Sequence, residues 1–157
     1  MANSSNPFGF KLYEQNSGLT PRLEYGVLGG TVSIGDPLVA SSGTLVIHTA
    51  AADQKIVGIA QANGVSGDRI PYIPVTENQI WIAQMTTYTA GTHLYGVYEL
   101  AGTTGVTYVN AAGTTKPIVR VLGLVPPPHA NYATGSYAVV RVAFVADGYA
   151  RSATVAN

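Results

Sequence analysis

The chain is built from short runs rich in Val, Ile, Thr and Tyr, cut at close intervals by Gly, Pro and Asn turn signals. No segment sustains the 3.6-residue apolar period of an amphipathic helix. Residues of these types fit a pleated surface, and turn signals every 8–12 residues or so are the pattern of a sandwich or barrel. Candidate strands are Arg22–Val27, Thr31–Ile34, Leu38–Ala40, Thr44–Thr49, Lys55–Gln61 and Arg69–Val75. Further strands are expected at Gln79–Met85, His93–Leu100, Val106–Asn110, Ile118–Val125 and Tyr137–Ala146. Between them lie Gly29-Gly30, Gly35-Asp36-Pro37, Ser42-Gly43, Asn63-Gly64, Ala101-Gly102 and Ala112-Gly113, where a positive or fixed φ reverses the chain. The expected fold is all-β: a single small β-barrel or β-sandwich. Ala50–Asp53 has room for one helical turn at most.

Individual strands carry more information. Gln79–Met85 is apolar on both faces, with Ile80 and Ile82 on one and Trp81, Ala83 and Met85 on the other. Tyr137–Val145 is apolar on both faces too, broken only by Arg141. Such strands are either central in a layered core or covered outside by another subunit. Arg69–Pro74 contains Pro71 and Pro74, which cannot donate to a ladder, so an edge strand or extended loop is expected there. Val125–His129, with three consecutive prolines, is a stiff connector.

Composition narrows the function classes. The 157 residues suit one domain, and the absence of cysteine removes disulfides, Cys-zinc sites and thiol catalysis. Eight basic and eight acidic side chains cancel, so the basic footprint of a nucleic-acid binder is missing. Only 10% of residues are charged, a surface poorly defended against association. No run of 18 apolar residues offers a membrane span, and no signal-peptide core follows Met1; the lack of cysteine fits assembly in a reducing cytoplasm.

No catalytic constellation emerges, and the chain is read as a non-enzyme without metal, cofactor or small-molecule substrate. His48, His93 and His129 stand far apart with no ligand spacing, and Lys55 and Lys116 follow no phosphate-binding loop. Gly64–Asp68 has its second glycine at the wrong spacing for a nucleophile elbow and no following helix, and reads as a hairpin loop. The carboxylates are scattered, with Asp68–Arg69 and Arg141–Glu99 as structural ion-pair candidates. Ten tyrosines and Trp81 leave a carbohydrate-binding sandwich as an alternative.

The first twenty residues differ from the rest: polar, rich in Asn, Ser and Gly, with Phe8, Phe10, Leu12, Tyr13 and Leu19 as scattered apolar anchors. The chain therefore divides into an extended N-terminal arm at 1–20, a β domain at 21–149 and a small polar tail at 150–157. In an extended arm Phe8, Phe10 and Leu12 share a face and Tyr13 lies opposite. That stripe is expected to dock on a neighbour by strand addition or in a groove. Docking on a sister subunit, on another partner or back on its own domain stays open.

Asn6-Pro7-Phe8-Gly9-Phe10 resembles the start of small head proteins of tailed bacteriophages. Gly35-Asp36-Pro37-Leu38-Val39 is similar to their Gly-Asp-Pro turn into a strand, and Lys55–Ala60 to the strand that follows. Pro74–Gln84, Ile118–Leu124 and Tyr137–Phe144 continue the likeness in the same order, although Glu77-Asn78 replaces the usual Asp-Pro. The resemblance is to capsid decoration, or cement, proteins. It implies a homotrimer on the outer capsid surface of the virion that clamps major capsid subunits against the pressure of packaged DNA. It brings no catalytic residues. Phe8, Phe10, Leu12, Tyr13 and Trp81 are the expected contact residues, and a tail or baseplate component is a further alternative.

Overall fold

The structure is a computed structural model that describes residues 3, 5–15, 20–49, 55–126 and 133–145. The stretch Ala50–Asp53, His129, the end of the proline connector and the tail at 150–157 lie outside the described residues. The fold is all-β, with two main sheets packed as a sandwich.

Five strands, β2 (Glu24–Val27), β3 (Pro37–Ser41), β4 (Thr44–Ile47), β5 (Ile56–Ala60) and β6 (Arg69–Pro74), form an antiparallel sheet in the order β2-β6-β5-β3-β4. The other sheet has six strands: β1 (Lys11–Gln15), β7 (Gln79–Gln84), β9 (Val97–Ala101), β10 (Tyr108–Asn110), β11 (Val119–Leu124) and β13 (Val139–Phe144). Its order is β1-β7-β13-β11-β9-β10. A short pair, β8 (Thr87–Tyr88) with β12 (Gly135–Ser136), and one helical turn, α1 (Ala90–His93), complete the described elements.

The main core lies between the sheets. Val39, Ile56, Ile59, Ile73 and Val75 come from one; Trp81, Ala83, Leu100, Val119, Val121, Val140 and Val142 come from the other. Both sheets curl. Leu28 bridges Leu45 across the ends of the five-stranded sheet, enclosing a second, smaller core of Leu28, Val32, Leu38, Leu45, Ala60 and Ile70. In the six-stranded sheet Met85 bridges Val109, and Thr86 N–H donates to Val109 O at 3.1 Å.

Four expectations are corrected. Lys11–Gln15, read as part of a free arm, is a strand paired with β7. As an edge strand it carries Lys11 and a bulge between Leu12 and Glu14, two features that discourage further pairing. Arg69–Pro74 is interior to its sheet rather than at an edge. Its prolines fit because the flanking ladders overlap only at Tyr72. In an antiparallel strand a residue's N–H and C=O point the same way. Pro71 O accepts from Gln61 N–H, so its missing donor faces a position beyond the end of β5. Pro74 faces the other way, beyond the start of β2. Thr31–Ile34 is no strand but a single bridge, Val32 to Gly64, running into a turn. His93–Leu100 is extended only from Val97, since the helical turn precedes it and Tyr95 adopts φ 63°. That turn is closed by His93, whose N–H donates to Thr89 O while its Nδ1 accepts from Thr89 N–H at 2.9 Å.

Strands β7 and β13 are central in their sheet, the first of the two explanations for apolar residues on both faces. Trp81, Ala83, Val140 and Val142 point into the core, while Ile80, Ile82 and Ala143 stay half-buried outside.

Candidate interaction surface

The described part of the N-terminal segment is tied along its length to its own domain. Asn3 Nδ2 donates to Ala133 O and Ser136 O, and Asn6 N–H donates to Gln84 Oε1 at 2.9 Å. The decisive contact is a backbone crossing: Phe10 N–H donates to Gly35 O at 2.8 Å. Both glycines at the crossing have positive φ, 72° for Gly9 and 90° for Gly35. A Cβ on Gly9 would fall 2.4 Å from Gly35 O, and one on Gly35 would fall 2.6 Å from Phe8 O. The Phe8-Gly9-Phe10 and Gly35-Asp36-Pro37 motifs therefore pack directly on each other.

That kink explains where the expected contact residues go. Phe10 is only 1% exposed and meets Phe144 with ring centroids 5.4 Å apart. Leu12 packs against the same core. Phe8, on the far side of the kink, is half-buried beneath Lys11, whose Nζ lies 4.7 Å from its ring centroid. Tyr13 is half-buried at the bulge of β1. Trp81 is fully buried, edge-on to Phe144, and its Nε1 has no hydrogen-bond partner among the described residues. Docking on a neighbour is thus corrected for Phe10 and Trp81, which are buried in the protein's own core, while Phe8, Phe10 and Leu12 all line one groove of that domain. The sugar-stacking alternative loses Trp81 for the same reason.

Beneath the crossing, the sequence Ser33–Asp36 closes on itself: Asp36 N–H donates to Ser33 O and Ser33 N–H donates to Asp36 Oδ2 at 2.8 Å. Val65–Asp68 repeats the device, with Gly67 at φ 93° and Val65 N–H donating to Asp68 Oδ2 at 2.9 Å. The two turns face each other through the Val32–Gly64 bridge and a bond from Ile34 N–H to Asn63 Oδ1. They differ in burial. Asp68 is exposed, whereas Asp36 is fully buried and also accepts from Gly105 N–H at 2.9 Å and, more weakly, from Thr107 Oγ1 at 3.4 Å. Burial pushes the Asp36 carboxyl above its ordinary range, partly offset by these donors. Asp36 thereby pins the loop before β10 to the turn that holds Phe10.

The surface beside this node is apolar. Tyr25 and Val27 are opposite Pro71 and Arg69, on the face whose next members, Ile73 and Val75, lie in the main core. Here the five-stranded sheet overhangs its partner sheet, leaving Leu23, Tyr25 and Val27 exposed, Tyr25 by 56%. Arg69 does not pair with Asp68 but stacks over Tyr25, 5.7 Å from its centroid. Between overhang and crossing runs a groove of about 360 Å³, walled by Phe8, Leu12, Pro21, Ile34 and Ile73, with Ile34 57% exposed. Single exposed apolar residues are ordinary; three on one sheet face, with an apolar groove on the same domain, make this the candidate interaction surface.

Among the described residues no group of three or more His, Asp and Glu side chains is disposed to hold a metal. His48 is buried, which pushes its pKa below the ordinary histidine value. Among the exposed tyrosines, Tyr95 is 68% exposed while nearby Tyr98 is buried, so the two form no common platform. No protein-family model matches this chain, and no curated protein matches its sequence.

The overhang was missed by sequence reasoning. The alternation Leu23, Tyr25, Val27 is visible in the sequence, but it reads as a core face until the extent of the opposing sheet is known.

Proposed function

We propose that this chain is a structural protein that works by surface contact: a homotrimeric decoration protein on the outside of an icosahedral phage capsid, cementing neighbouring major capsid subunits. The observation that carries the reading is the exposed row of Leu23, Tyr25 and Val27, together with the groove lined by Phe8, Pro21 and Ile34. Supporting it is the resemblance of the Phe8-Gly9-Phe10 and Gly35-Asp36-Pro37 motifs, which pack on each other at the base of that groove. A cement protein needs area and several contacts; once one contact forms, the others act at high effective concentration. With no net charge and few charged residues, copies meet without electrostatic repulsion.

The test is sedimentation of the full chain, alone and mixed with expanded shells of a tailed phage. The expected result is a trimer that co-sediments with shells, and a Tyr25→Glu/Val27→Glu variant that stays folded but falls to monomer. A strict monomer that ignores the shells overturns the proposal.

A further inference from the structure

Where β7 ends, the chain leaves a small pocket that the proposed function does not use. Met85 N–H donates to Ala138 O at 2.8 Å. Thr86 is bonded to two neighbouring segments: its N–H donates to Val109 O and its O accepts from Tyr137 N–H, both at 3.1 Å. Beside these residues is a cavity of about 290 Å³, lined by Ser5, Pro7, Gln84, Thr86, Tyr108 and Tyr137. None of them lines the groove beside the overhang.

One lining residue is strained. Tyr137 adopts φ 57°, a left-handed backbone that bulky side chains rarely take. Two bonds impose it: Tyr137 N–H donates to Thr86 O, and Gln84 Nε2 donates to Tyr137 O at 3.0 Å. Gln84 is only 1% exposed, and its Oε1 accepts from Asn6 N–H, so one buried amide ties the N-terminal segment and Tyr137 to the same strand end. Tyr137 itself is 39% exposed, so its ring is not held there to fill the core. A strained residue that its surroundings over-determine, on the lining of a pocket, is the pattern of a ligand clamp.

The lining selects a class of ligand. No charged side chain contributes to it, so an ion would find no counter-charge. Pro7, Met85 and the bodies of the two tyrosines supply apolar contact. Ser5 and the tyrosines carry hydroxyls that both donate and accept, and Thr86 Oγ1, which accepts from Ala111 N–H, keeps its own proton to donate. A sugar ring matches both demands, with C–H groups for the apolar contacts and hydroxyls that donate and accept. A prolyl segment brings an apolar ring but only acceptors. The volume lies at the small end of ligand pockets, the size of a ring rather than of a long chain.

We infer that this pocket is a binding site for a neutral saccharide, contacted by Tyr108 and Tyr137. It is independent of the decoration reading, and it needs neither Trp81 nor Tyr98.

The experiment is an NMR titration of the full chain with glucose, galactose and N-acetylglucosamine, and with an end-blocked tri-proline peptide as the rival ligand. At least one sugar is expected to shift the amides of Thr86, Tyr108 and Tyr137 in a saturable way. Tyr137→Gly is expected to stay folded, because glycine takes the positive φ without strain, and to lose those shifts. Tyr108→Ala should weaken binding by roughly tenfold, the upper worth of one aromatic contact. Ser5 is exposed, so Ser5→Arg, which puts a bulky charge on the lining, tests the idea even if Tyr137→Gly misfolds. No saturable shift with any of the three sugars, shifts confined to other amides, or unchanged binding in a folded Tyr137→Gly or Ser5→Arg protein overturns the inference. Tighter binding of tri-proline than of the sugars overturns it in favour of a proline-rich peptide.

Discussion

Removing the Asp36 carboxylate should unfasten two loops at once. The side chain is fully buried and accepts from Ser33 N–H at 2.8 Å and Gly105 N–H at 2.9 Å, with Thr107 Oγ1 at 3.4 Å contributing little. Asp36→Ala leaves two partly buried backbone donors without an acceptor, at about 1–3 kcal/mol each, so a loss of about 2–6 kcal/mol is expected. In a chain of this size that lowers Tm by about 5–15 °C. Asp36→Asn keeps the shape and one acceptor, and should cost roughly half as much. Asp68 is the internal control: it closes the same turn but is exposed, and Asp68→Asn should cost under about 1 kcal/mol. The pH dependence adds a second check. The folded-state pKa of Asp36 is raised, so the native state holds this proton more tightly than the unfolded chain. Its contribution is therefore largest below the ordinary carboxylate pKa, declines as pH rises through that value, and levels off above the folded pKa. The stability gap between wild type and Asp36→Asn should narrow over that interval. Urea unfolding followed by the emission of Trp81, the single tryptophan and fully buried, measures both quantities. Equal costs at Asp36 and Asp68, or a gap that widens with pH, would refute the reasoning.

Three further outcomes follow from the N-terminal segment. Phe10→Ala removes a buried ring from the main core and should cost about 3–5 kcal/mol in urea unfolding, whereas half-buried Phe8→Ala should cost far less. Gly9→Ala combines a strained φ with a collision against Gly35 O, and should lower Tm by several degrees while Gly43→Ala, with open space around its Cβ position, pays only for its own positive φ. Deleting residues 1–15 should destabilise the whole domain, because β1 and Phe10 go with it; a truncated chain with unchanged Tm would contradict the core position of Phe10.

The all-β class and most strand positions were legible because β-branched runs and turn glycines act locally. Lys11–Gln15 was not: an edge strand with two exposed charged residues and none fully buried has the composition of a solvated arm. The prolines of Arg69–Pro74 misled because their tolerance depends on where the neighbouring strands stop, a tertiary fact. The Gly-Asp pairs at 35–36 and 67–68 were both visible, yet nothing local tells which carboxylate is buried. Phe8, Phe10 and Leu12 alternate as an extended stripe should and do line one groove, but nothing local tells that Phe10 is buried against Phe144.

The order of strands within the two sheets has a bearing on how the chain is made. The five-stranded sheet draws all its strands from one unbroken stretch, Glu24 to Pro74, so it can assemble as soon as that stretch has left the ribosome. The six-stranded sheet cannot: β13, flanked by β7 and β11, is the last strand described, and β1, the first, must wait for β7. The start of the chain is thus held in reserve through most of synthesis, with Phe10 lacking its ring partner until Phe144 arrives. A ribosome stalled between β6 and β13 would carry a finished five-stranded sheet with its core face uncovered, a stage at which aggregation is favoured.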